Sequence, residues 1–124
     1  MEISSAVASK IRRDRELLDI IRKSESEDQI GHAIFVRLSI PKIPKGRVSE
    51  EEREAFIKRV LEVSDQAGRA FSAIEGLTVH NLMSYLGSAS VAGTVGALVK
   101  TLELDCVKDG IIGDNKLFYG ASVG

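Results

Sequence analysis

The sequence predicts a mainly α-helical fold with a small β component, in a chain of 124 residues. Three observations carry that expectation. Long stretches repeat apolar residues at helical spacing, a strong helix-start signal stands at Ser49, and only short segments alternate or pair as strands do. Hydrophobic residues at 44% and charged residues at 28% fit an ordinary globular protein of about one domain. A net charge of −1 removes any whole-chain argument for nucleic acid, so charge has to be read by position.

The first element is "SSAVASKIRRDRELLDIIRK". Val7, Ile11, Leu18 and Ile21 recur at helical spacing, Leu17 and Ile20 widen the stripe, and charges fill the other faces. One amphipathic helix of about five turns is expected over residues 4–23. Its basic residues, Arg12, Arg13 and Arg15 among them, alternate with Asp14, Glu16 and Asp19, which reads as an ion-pair-laced exposed face. After the polar linker "SESEDQIG", the run "HAIFVRLSI" sets Ile34, Val36, Leu38 and Ile40 against Phe35, Arg37 and Ser39, the period of a strand. Pro41 and Pro44 end it, leaving "PKIPKGR" as an exposed loop.

Ser49 and Glu52 then form a capping box, with Glu50 and Glu51 also favouring the positive end of a helix dipole. Phe56, Ile57, Val60 and Leu61 follow at helical spacing, and Ser64-Asp65 permits either one bent helix or a second one running to Gly76. From Gly76 to Val99 no residue is charged. There Thr78 reads as an N-cap, Val79, Leu82, Met83 and Leu86 as one apolar face, and Gly87 as a helix stop. Ser88 or Ser90 would cap a third helix carrying Val91, Val95, Leu98 and Leu102, and "GIIGD" between "LDCVKD" and "NKLFYGAS" reads as the turn of a β-hairpin.

Three helices followed by a hairpin give residues 66–121 a pattern that resembles the winged helix-turn-helix domains of small archaeal and bacterial regulators. "LTVHNLMSYLG" matches the second helix, "SASVAGTVGALVKTLEL" the third, and "CVKDGIIGDNKLFY" the wing. On that likeness the chain divides into residues 1–48, with the amphipathic helix, strand and basic proline loop, and a winged-helix-like domain over 49–124. The resemblance implies that the third helix enters the major groove of duplex DNA through Ser90, Gly93, Thr94, Ala97, Lys100 and Thr101. Arg69, Lys108 and Lys116 would add phosphate contacts around the wing. The chain departs from the pattern in having a single lysine on that helix, and in Asp105, Asp109 and Asp114 beside the wing.

Charge points elsewhere as well. Between Gln29 and Ser49 stand Arg37, Lys42, Lys45 and Arg47 with no acid, which reads either as a phosphate-tracking arm or as a loop kept basic for solubility. Small residues repeat every four positions at Ala89, Gly93 and Ala97, a ridge that suits internal packing or a docking face for a partner protein. Two functions are therefore expected from different classes. The first is a non-catalytic nucleic-acid-binding regulator, dimeric through its N-terminal helix; the second is a protein-interaction module or small subunit of a nucleoprotein assembly.

Enzyme chemistry, metals and cofactors find no frame. His32, His80 and the lone Cys106 lack metal-ligand spacing, and no phosphate-binding glycine loop or nucleophile elbow occurs. A single cysteine gives no sign of an oxidising compartment, and the early charges of "MEISSAVASKIRRDRE" do not suit a signal peptide, so a cytoplasmic protein is expected. The uncharged run 76–99 is too interrupted by Ser, Thr, Asn, His and Gly to read as a membrane span.

Overall fold

The N-terminal apolar stripe forms two helices rather than one. In the computed structural model, which describes residues 1–42, 45–83 and 86–113, α1 spans Ser5–Ile11 and α2 spans Arg15–Lys23. Ser4 caps α1 by accepting from the Val7 N–H, and Asp14 caps α2 by accepting from the Leu17 N–H at 3.2 Å. Val7, Ile11, Leu17 and Ile21 are all buried in the core. Most of the stripe expected to pair with a second copy thus lies in the core, with Leu18 and Ile20 packed partly buried against it.

Strand β1, Ile34–Leu38, keeps its alternation: Ile34, Val36 and Leu38 are buried while Arg37 is exposed. Helix α3 spans Glu50–Ser72 without a break, and the Glu52 N–H donates to Ser49 Oγ as the capping box requires. Ser64 lies buried inside it and starts no second helix.

Between residues 77 and 94 the expected fold is corrected. The uncharged run forms β2, Leu77–Met83, and β3, Ser88–Gly93; only Val95–Glu103 is helical, as α4, capped by the Thr94 hydroxyl. Strand β4, Val107–Ile112, completes a four-stranded antiparallel sheet in the order β2-β3-β1-β4. The fold is thus α/β rather than mainly α, and where a helix-turn-helix needs its second helix the chain has the strand Leu77–Met83. Glycine explains part of the difference. Gly76 and Gly87 take the left-handed conformation at φ 85° and 62°, and these turns bracket an extended segment. Burial explains part of the missing charge: β3 is paired on both sides, and α4 buries Val95–Val99, Thr101 and Leu102. β3 and the buried side of α4 thus have no solvated face on which a Lys or Glu can sit, whereas β2 lies at the sheet edge with Thr78, Val79, His80 and Asn81 exposed, and burial does not account for its lack of charge.

The units β1-α3-β2 and β3-α4-β4 interleave in one sheet, the β-α-β-β-α-β order of the ferredoxin-like arrangement, an architecture that hosts many functions. Because β1 lies between β3 and β4, residues on both sides of position 48 share one core. The expected wing hairpin is also revised, since Gly110–Ile112 lie in β4 and pair with β1. Its second arm, with Lys116, Leu117 and Tyr119, falls outside the described residues. Among the described residues no helix is long and apolar enough to cross a membrane.

Candidate functional site

Register places four side chains of β1 and β4 on the sheet face away from the core. Phe35 stands opposite Ile111 and Arg37 opposite Asp109, while Ile34, Val36, Ala89 and Val91 point the other way into the core. A bulge between Arg37 and Leu38 pairs Leu38 with Val107, so that Lys108 has no partner across β1. Strict alternation from Ile112 and Gly110 would turn Lys108 inward. The bulge instead buries Val107 at 1% exposure and leaves Lys108 in solvent.

The end of α1 and the turn before α2 stand beside this strand and close a pocket of about 600 Å³. Its rim gathers Lys10, Arg12, Arg13, Arg37 and Lys108 against Asp14 and Asp109, with Phe35 and Ile111 as apolar lining. Five cations against two carboxylates leave a surplus of +3. These charges are not equally available. Lys10 Nζ donates to the carbonyls of Leu102 and Leu104 at 2.7 and 2.9 Å, and so neutralises the end of α4. Arg37 Nε donates to Asp109 Oδ1 at 2.8 Å and its Nη2 donates to the other carboxylate oxygen, a two-pronged bond that raises the guanidinium pKa above its usual value. Asp14 accepts from the N–H groups of Leu17 and Ile112, tying the turn to the edge strand. Among the described residues no ion pair engages Arg12, Arg13 or Lys108, so those three supply the free positive charge.

Of the basic residues singled out in sequence, Arg37 and Lys108 meet at this pocket. Lys42, Lys45 and Arg47 are exposed on the segment leaving β1 just beyond Arg37. The expected groove-reading set does not converge. Ser90 is buried on β3, Thr94 is the cap of α4, and the buried Thr101 hydroxyl donates to the Ala97 carbonyl at 2.9 Å; Lys100 alone is exposed. Arg69 pairs with Asp65 on α3. Ala89 and Ala97 are buried, and Gly93 sits where β3 meets the start of β2, so the small residues serve packing within the chain. Lys116 lies outside the described residues.

The sequence reading missed Arg12, Arg13, Phe35 and Ile111 as neighbours. The one available signal was Asp14 as a helix cap, which breaks the long helix and sets the two arginines on a turn. Among the described residues no group of three or more His, Cys, Asp or Glu is arranged to hold a metal ion. Burial pushes the Cys106 thiol up, which keeps it protonated and weakly nucleophilic at neutral pH. On Ser88, Oγ is buried with no hydrogen-bond partner among the described residues, on the same face and directly across from Arg37. No family model, no curated protein and no solved structure matches this chain.

Proposed function

We propose that the chain is a non-catalytic nucleic-acid-binding module that holds a single strand against the pocket beside β4. The observation that carries this reading is the convergence of Arg12, Arg13 and Lys108 on one concave site lined by Phe35 and Ile111. Cations that track phosphates beside an aromatic or apolar surface for bases are what sequence-tolerant single-strand binding needs. Lys42, Lys45 and Arg47, exposed on the segment that follows β1 in sequence, are further cations that a bound strand could meet. A duplex is disfavoured because the element that would have entered its groove is a buried strand and a core helix.

The test is fluorescence anisotropy with a labelled single-stranded oligonucleotide and its duplex, measured across salt concentration. Changing Arg12, Arg13 and Lys108 together to Ala is expected to flatten the slope of log affinity against log salt by about 2 units, at about 0.7 per lost contact with a single strand. Lys100→Ala, on the far side of α4's buried face, should leave it unchanged. Failure of the wild type to bind at ~50 mM salt, where phosphate contacts are strongest, refutes the proposal.

A further inference from the structure

The outer flank of α3 carries a stripe whose charges complement their own reversed order. Glu54, Lys58, Leu61, Asp65 and Arg69 are spaced four, three, four and four, which places them along one side of the helix. Leu61 and the neighbouring Ile57 are 37% and 40% exposed, two of the few large hydrophobic residues left in solvent, and they form a shallow groove with Glu54, Lys58, Glu62 and Asp65. Read in one direction the stripe is acid, base, Leu, acid, base. Laid antiparallel on itself about Leu61, it sets Glu54 against Arg69, Lys58 against Asp65 and Leu61 against Leu61. A parallel pairing in register sets like charges on each other.

From this self-complementarity we propose that α3 is the interface of a two-fold homodimer, with a second copy of this chain seated antiparallel on the Leu61 stripe. A two-fold axis repeats every contact, so two charge pairings become four flanking one apolar centre. The existing Asp65–Arg69 pair, 2.7 Å apart, does not oppose the exchange: its side chains are 62% and 79% exposed, and such surface pairs contribute little. The N-terminal stripe offers a second copy little, since Val7, Ile11, Leu17 and Ile21 already lie in the core and Leu18 and Ile20 are partly buried against it.

Sedimentation of the full chain from about 1 to 500 µM tests the proposal, a range that spans dissociation constants from micromolar to sub-millimolar. Lys58→Glu sets a new carboxylate against Asp65 of the second copy, twice across the axis, and is expected to weaken the dimer by about tenfold or more. The double variant Lys58→Glu with Asp65→Lys restores opposite charges across the axis, and should recover dimerisation. Leu61→Glu should give a monomer that keeps the wild-type circular dichroism spectrum. A wild type that stays monomeric throughout, or a double variant as weak as the single one, overturns the proposal.

Discussion

Asp14→Ala is the substitution with the most to say about how the pocket is held. The Asp14 carboxylate is 4% exposed and accepts two backbone bonds, from Leu17 N–H at 3.2 Å and Ile112 N–H at 2.9 Å. Loss of the N-cap costs about 1 kcal/mol. Stranding the Ile112 N–H, buried at the edge of β4, adds about 1 to 3 kcal/mol. The expected total is about 3 kcal/mol, a sizeable share of a stability of roughly 5 to 15 kcal/mol. In a chain of this size that lowers Tm by about 10 °C. Asp14→Ser separates the two terms, since serine keeps a capping oxygen but is too short to reach Ile112, and should lose about 1 kcal/mol less than alanine. Urea unfolding of the three proteins measures both differences, and hydrogen exchange at the Ile112 amide reports the lost bond directly. A loss below about 0.5 kcal/mol in the alanine variant would mean that neither bond matters to stability and would refute this account of the turn.

Gly93→Ala is expected to prevent folding or cost at least about 3 kcal/mol, because φ is 149° and an added Cβ would sit 2.1 Å from the Gly76 carbonyl oxygen; soluble expression and thermal unfolding check it. A fragment beginning at Ser64 is expected to stay unfolded, with a poorly dispersed amide spectrum. It lacks β1, the strand between β3 and β4, and so cannot form either inner pairing.

What was legible in the sequence was what local chemistry decides. Ser49 with Glu52 marked the start of α3, and the alternation of Ile34, Val36 and Leu38 marked β1, because a cap bond and a half-buried face each need only a few neighbouring residues. The run 77–94 was opaque because a short uncharged segment shows no solvated face, and apolar spacing alone does not separate a period of two from one of 3.6. β2 pairs with its neighbour β3, and β3 is held on its other side by β1, far away in sequence. The same distance hid the site. Lys108 and Arg37 were visible as basic residues, but their meeting depends on a β1–β4 register with partners 72 residues apart. Arg12 and Arg13 looked neutralised by Asp14 and Glu16, yet Asp14 is turned inward, 4% exposed, and accepts from the backbone N–H groups of Leu17 and Ile112.

The Arg37–Asp109 pair decides how much of the pocket's charge a ligand meets, and Asp109→Asn is the variant that measures it. With the carboxylate in place, the Arg37 fork is occupied by a partner only 19% exposed, so the arginine offers little charge to a phosphate. Asparagine keeps the size of the side chain but removes the negative charge, which raises the pocket's surplus by one and frees a guanidinium beside Phe35 and Lys108. The cost in stability should be small, about 0 to 1 kcal/mol, because the Arg37 end of the pair is 44% exposed and solvent screens it. Binding of a single-stranded oligonucleotide should tighten at low salt, and the salt slope should steepen by about 0.7, one added phosphate contact. The combined Arg37→Ala and Asp109→Asn variant separates contact from field: if Arg37 itself touches the phosphate, the added slope vanishes with it. An unchanged slope in Asp109→Asn would place the strand away from Arg37, on the Arg12 and Arg13 side of the pocket alone.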